Sequence, residues 1–343
     1  MDIDRALNLL ATCALPAAAA TAALTAGLLP ALRRAGLVDR PGHRSSHAVP
    51  TVTGAGIGFV AVASGGWAII AGRTDAADLG SIASVAGCMA ILGWADDRWS
   101  LPARLRLAAH ALGATVVALA VLGVPASPAA AAAVAGAGFL VAWSANAFNF
   151  MDGLDALAAT ESIAVATGGL MIAAVAGDPA AQGPALSVLA GALAGFLPFN
   201  LPKARAFMGD AGSTWLGFSL AALAVASAAR DPATLPAWLV LPALFVADSG
   251  VCGLRRLARG ERMSQPHRSH AYQRLARRLG SHGKVVAAFA ALNATVLCAS
   301  WACMRFPSAA WWIFGTTYAL AISLATAAGS GHVDPEERPL VAP

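Results

Sequence analysis

W-A-D-D-R-W-S-L-P-A-R-L-R, residues 94–106, closes one apolar run and leads into another. Two adjacent carboxylates, Asp96 and Asp97, are followed by Arg98, Arg104 and Arg106. Charged side chains at the edge of hydrocarbon are costly unless they meet water, a metal or a phosphate. Three other polar stretches, residues 146–155, 207–213 and 267–270, occupy the same position at the mouth of an apolar run. The expectation is that all four converge on one site at one face of a membrane.

Composition supports that frame. The chain is 58% hydrophobic and 12% charged, against about 25% charged in a soluble domain, and its mean hydropathy is +0.65. Apolar runs of spanning length recur along the chain, so one anchor on a soluble body is excluded. The first run follows Asp2, Asp4 and a lone Arg5 and is long for a signal core, so it reads as a retained helix. The five cysteines are scattered through apolar runs without metal-ligand spacing and read as small buried hydrophobes. A net charge of +5 reflects orientation in the membrane rather than nucleic-acid binding.

Eleven spans fit, at about 9–30, 54–72, 80–95, 107–123, 129–147, 157–176, 184–199, 212–229, 235–252, 284–303 and 308–328. The predicted fold is an all-α polytopic helical bundle with abundant Ala and Gly for close helix packing. Of the 23 Lys and Arg residues, 19 fall on one set of connections and 4 on the other. The basic side is cytoplasmic, which puts the N-terminus in the periplasm and the C-terminus in the cytoplasm. All four polar stretches then fall on the cytoplasmic side. Residues 1–329 read as a single transmembrane catalytic domain and 330–343 as a short, loose cytoplasmic tail. A short amphipathic helix is predicted at 272–279, in the longest basic connection.

Asp96 and Asp97 point about 100° apart on a helix end, so one can hold a cation or orient a group while the other acts as base. Asn146, Asn149, Asp152 and Asp155 recur every third residue in N-A-F-N-F-M-D-G-L-D. Such hard oxygen ligands suit Mg²⁺, although helix capping accounts for them equally well. In F-M-G-D-A-G-S, Asp210 stands at a helix start, either as a cap or as a metal ligand beside phosphate. In P-H-R-S-H, His267, Arg268 and His270 fit phosphate recognition, because no neighbouring Cys or third His completes a zinc set. The patch 36–47, which ends at His47, offers a second wall to the pocket. Acids and bases on one face indicate a divalent metal bridging a multiply phosphorylated substrate. With no Walker loop, a nucleotide-sugar diphosphate meeting a membrane-held acceptor fits better than ATP.

The stretches G-L-V-D-R-P-G-H-R-S-S-H, L-G-W-A-D-D-R-W-S-L-P-A-R-L-R, N-A-F-N-F-M-D-G-L-D, F-M-G-D-A-G-S-T-W-L-G and H-R-S-H-A-Y-Q-R-L resemble the polyprenyl-phosphate N-acetylhexosamine-1-phosphate transferases, over nearly the whole chain. The resemblance implies transfer of a sugar 1-phosphate from a UDP-N-acetyl-sugar to undecaprenyl phosphate at the bacterial inner membrane, releasing UMP. It implies Asn149 and Asp210 as ligands of Mg²⁺, with Mn²⁺ as an alternative, and Asp97 or Asp96 as the acid beside the lipid phosphate. It implies His267, Arg268, His270 and Arg106 as diphosphate or phosphate contacts, and Asp152 and Asp155, counted among the catalytic acids, as supporting or nucleotide-side residues; Arg104, His47 and Asn146 join the substrate contacts by their place in the same stretches. Expected partners are the two substrates and membrane lipids, without nucleic acid; a homodimer stays open. The R-S-S-H and Y-Q-R-L forms point to the O-antigen-initiating branch, with a phospho-MurNAc-pentapeptide transferase-like enzyme as the alternative. From a different class, an ion-coupled transporter would show mid-span charges and broken helices in matching halves. Two departures stand out: Thr53 where the family pattern carries Arg, and Ala156 where it carries Gly.

Overall fold

The computed structural model describes residues 7–41, 49–74, 76–177, 181–262 and 267–332. In lipid every backbone polar group must be satisfied internally, and the apolar runs accordingly form helices. These are α1 (Leu15–Arg34, entered through a π turn at Leu10–Ala14), α2 (Ile57–Thr74), α3 (Ala77–Trp99), α4 (Ala103–Leu122), α5 (Pro128–Met151), α6 (Leu157–Val175) and α7 (Gln182–Asn200). They continue with α8 (Gly209–Arg230), α9 (Leu235–Val240), α10 (Ala243–Ala258), α11 (Ala271–Leu279), α12 (His282–Arg305) and α13 (Ala310–Ala327). Among the described residues ten helices are long and apolar enough to cross a membrane, or eleven if the bent pair α9–α10 counts as one span.

That pair occupies the span expected over 235–252 but is broken. The chain bends by 68° between α9 and α10. Pro242, at the start of α10, lacks the N–H an uninterrupted helix would use. Past the bend, α10 leaves Leu254 and Leu257 exposed. It is the one bent pair among the described helices, so the matched breaks of an inverted-repeat transporter are absent among them.

α8 is the axis of the bundle. Every residue from Ala211 to Ser227 is buried, and α3 and α5 pack along it most extensively. A helix apolar on all sides fits such a central place. Its small residues permit close approach: a Cβ on Gly93 of α3 would collide with the backbone of Asp210 and Ala211. Trp67 of α2 stacks on Trp215 of α8 at 5.2 Å between centroids and donates its indole N–H to Ala185 O at 2.8 Å. Farther along the bundle, Asn293 of α12 donates to the buried Glu161 of α6 at 2.7 Å.

At one end of the bundle a small non-helical layer forms, an exception within the all-α plan. Strands β1 (Val38–Asp39) and β2 (Thr51–Val52) pair antiparallel. Val52 also bridges Ala206 in parallel, and Ala55 N–H donates to Phe207 O at 3.0 Å. These bonds join the loop after α1 to the loop before α8 and satisfy backbone that no helix covers. The expected loose tail is packed at its first residues. Ser330 is buried, Arg255 donates to its carbonyl at 2.6 Å, and Gly331 N–H donates to Ser269 O at 2.7 Å.

Candidate active site

The last turn of α3 carries Asp96 and Asp97, and the helix stops at Ser100, whose left-handed φ of 51° turns the chain towards α4. Asp96 is buried, accepts from Leu101 N–H at 2.7 Å and is ion-paired to Arg106 on the first turn of α4. Arg106 also lies 3.5 Å from the Asp210 carboxylate. Asp97 reaches across to α8, where its two oxygens accept from Asp210 N–H at 2.9 Å and Ala211 N–H at 3.3 Å. It is thus a remote N-cap, supplying a negative charge where the helix dipole is positive. Gly209 makes this approach possible: its φ is +69°, and a Cβ there would strike the Asp97 carboxylate and Gly54 N.

From the end of α5, Asn149 donates its amide to Asp210 Oδ1 at 2.8 Å and to Ser213 Oγ at 3.1 Å. Its own Oδ1 is left without a protein partner among the described residues. The segment 152–156 then turns into α6. Asp155 is buried, accepts from Ala204 N–H at 3.2 Å and lies 3.3 Å from His282 Nδ1. Ala156 sits at φ 64° with its N–H on Asn200 Oδ1 at 3.0 Å. That is the left-handed region, costing a residue with a Cβ roughly 1–2 kcal/mol, and it explains why the family pattern has Gly here. The Asp152 N–H donates to Asn149 O at 3.3 Å, while its carboxyl makes no hydrogen bond to the described residues. Burial first, then the charges of Asp97 and Asp155, push its carboxyl up to about 8.

These segments enclose a cleft of about 690 Å³, whose wall includes Asp96, Asp97, Arg106, Asn149, Asp152, Asp155 and Asp210. Thr53, the departure from the family's Arg, is also in that wall, as are Gly36 to Asp39 from the expected second wall. Gln273 and His282 line it too, although the sequence reading did not single them out. The signal for His282 was its place at the mouth of α12, the same position held by the four polar stretches.

Two expected contacts lie elsewhere. Asn146 is one turn deeper on α5 and donates to Ala142 O at 2.7 Å, as a polar side chain does where water is scarce. Arg104 is exposed on α4, about 200° around the helix from Arg106. His47 lies outside the described residues.

His267, Arg268 and His270 stand beside the cleft rather than in its wall. Asp248 of α10 seats their loop, accepting from Ala271 N–H at 2.9 Å and Tyr272 N–H at 3.3 Å. This is a second carboxylate capping a helix from afar. The Tyr272 hydroxyl donates to Phe150 O at 3.0 Å, which ties the loop to the end of α5. Burial works against a charged His270, but the Asp248 carboxylate and Cys252 outweigh it and raise its pKa to about 9. The reading that no cysteine completes a soft-metal set is corrected here. Among the described residues, Cys252, His267 and His270 form a group that could hold a metal ion.

The motif set and its convergence agree with the comparisons. A family model described as glycosyl transferase family 4 matches residues 79–228. The decaprenyl-phosphate N-acetylglucosaminephosphotransferase of Mycobacterium tuberculosis is 33% identical, over 74% of this chain and 72% of its own length. The chain belongs to the polyprenyl-phosphate N-acetylhexosamine-1-phosphate transferase family. The undecaprenyl-phosphate alpha-N-acetylglucosaminyl 1-phosphate transferase of Thermotoga maritima is 30% identical, over 75% of this chain and 79% of its own. The phospho-N-acetylmuramoyl-pentapeptide-transferase of Synechococcus sp. is 42% identical, but over only 32% of this chain and 31% of its own. Membership therefore rests on the N-acetylglucosamine-named relatives, which align along most of the chain.

Proposed function

We propose that this chain transfers N-acetylhexosamine 1-phosphate, GlcNAc 1-phosphate first among candidates, from a UDP-sugar to undecaprenyl phosphate, and releases UMP. The observation that carries the reading is the single cleft in which Asp96, Asp97, Arg106, Asn149, Asp152 and Asp210 meet. The charge count of the connections favours a cytoplasmic mouth in the bacterial inner membrane, with the N-terminus outside. On this reading residues 1–329 act as one catalytic domain.

The donor set fits a hard divalent cation. Asn149 Oδ1 and the Asp210 carboxylate are oxygen ligands of the kind Mg²⁺ takes, and Mn²⁺ accepts the same set. When bound, the cation neutralises charge on the diphosphate as the bond to UMP breaks. The Asp152 carboxyl, without a hydrogen bond to the described residues in a cleft crowded with carboxylates, supports a cation beside it.

Phosphoryl transfer depends mostly on positioning and charge stabilisation, and the remaining residues are suited to those tasks. Arg106, steadied by Asp96, offers its guanidinium to a phosphate. A lipid-phosphate oxygen attacks the sugar-bearing phosphorus, and the oxygen of UMP leaves. Asp97 already accepts two backbone N–H groups of α8, so its role is to orient the incoming phosphate and the first turn of α8. His267, Arg268 and the cationic His270 flank the cleft as contacts for the donor diphosphate.

A panel of UDP-N-acetyl-sugars tests the reading in detergent. UMP should appear with UDP-GlcNAc, and only when undecaprenyl phosphate is present. Release from no donor, or release that ignores the lipid, would contradict it.

Asp152 gives a pH-dependent prediction. Its folded pKa of about 8 lies above the ordinary ~3.9. The stability lent by its protonation is therefore fully present below the ordinary value and lost as pH rises through about 8. A bound cation offsets the exposed charge, so Mg²⁺ should raise Tm more at about pH 9 than at about pH 6. An equal shift at both would remove Asp152 from the cation's surroundings.

A further inference from the structure

Cys252, near the end of α10, stands 15 residues before His267 in the chain, yet its Sγ lies 4.0 Å from His267 Nδ1. One ligand atom from each of Cys252, His267 and His270 lies within 4.8 Å of the other two. The imidazole rings are 4.9 Å apart between centroids. Zinc, at about 2.3 Å from sulfur and about 2.0 Å from nitrogen, holds tetrahedral ligand atoms about 3.3–3.6 Å apart. Side-chain rotations of about an ångström therefore close the set around an ion.

The surroundings hold these groups in place. Ser269 Oγ is 2.9 Å from His267 Nδ1 and 3.5 Å from Cys252 Sγ. The Asp248 carboxylate lies 3.6 Å from His270 Nδ1, an outer carboxylate of the kind that orients metal-ligating imidazoles. His270 Nδ1 itself is buried without a hydrogen-bond partner. His267 is half-buried, which leaves a way in from water. Three protein ligands leave the fourth zinc position to a water.

Ligand chemistry separates this group from the cleft. Thiolate and imidazole favour Zn²⁺ over Mg²⁺, whereas carboxylate and amide oxygens suit Mg²⁺. We infer that Cys252, His267 and His270 form a site for a soft divalent cation of the Zn²⁺ class, and that its occupancy withdraws both histidines from substrate and inhibits transfer. The inhibition rests on the proposed reading of His267 and His270 as diphosphate contacts; the site itself does not. Zinc binding would displace the imidazole and thiol protons.

Co²⁺ titrated into the full chain in detergent tests the site, because cobalt–thiolate bonds give a charge-transfer band. One equivalent should produce that band together with the visible bands of tetrahedral cobalt. Cys252→Ala should lose the charge-transfer band and bind at least about 10–100-fold more weakly, the loss typical of removing even an outer partner. In the UMP-release assay with Mg²⁺, added Zn²⁺ should inhibit the native chain. Cys252→Ala, measured against its own zinc-free rate, should need at least about 10-fold more zinc for the same inhibition. Cys252→Ser serves as the second variant should alanine compromise folding. No sulfur band in the native chain, an unchanged band in the variant, or equal zinc sensitivity would overturn the inference. A chain that released no UMP from any donor would overturn the transferase reading alone, since the cobalt titration still decides the site.

Discussion

An Asp97→Asn protein should insert and fold as the native chain does, yet release UMP about 10²–10³-fold more slowly. Asparagine keeps an oxygen that can accept one of the two α8 N–H bonds now made at 2.9 and 3.3 Å. It lacks the negative charge that faces the first turn of α8 and Arg106's neighbourhood. The loss should therefore fall on turnover, with stability lowered by no more than the ~1 kcal/mol scale of a weakened cap. Initial-rate measurements beside a thermal melt separate the two effects. Native turnover with a lowered Tm would make Asp97 a cap and nothing more.

The second large effect comes from a residue that carries no chemistry. Gly209→Ala should reduce turnover by about 10²-fold, the scale expected when a reacting constellation moves by an ångström. At φ +69° an added Cβ meets the Asp97 carboxylate and Gly54 N. The left-handed backbone adds a further cost of about 1–2 kcal/mol. Asp97 must retreat from α8, and Asp210, next in the chain, moves with the helix start. Since α3 and α8 touch at Gly93, the bundle offers no room for compensation. Equal rates in the two proteins would mean that the Asp97–α8 contact does not set the geometry of the reaction.

Much of the fold was legible in the sequence, because lipid leaves a chain few options: apolar runs of sufficient length become helices. The break at Pro242 was hidden, since the apolar run continues on both sides of it and only the missing N–H marks the bend. The acidic stretches could be assigned to one face from span parity. Their partners could not, because the cap on α8 comes from Asp97, 113 residues earlier, and no local pattern announces so distant a bond. Asn146 and Arg104 were included through spacing that ignores depth and helical phase. Asn146 lies a turn deeper than Asn149, Arg104 points about 200° from Arg106, and neither lines the cleft. Cys252 escaped for the opposite reason: an apolar run made it look inert until the loop folded back over it. Ala156 was visible as a departure, but its cost, a left-handed φ carried by a residue with a Cβ, belongs to three dimensions.

The most direct test of the account is the metal dependence of the reaction in the cleft around Asn149 and Asp210. UMP release from UDP-GlcNAc and undecaprenyl phosphate should stop in chelator-treated protein, return on addition of Mg²⁺, and fail to return in Asp210→Asn. Full activity from metal-stripped protein, or native Mg²⁺ response in Asp210→Asn, would contradict it.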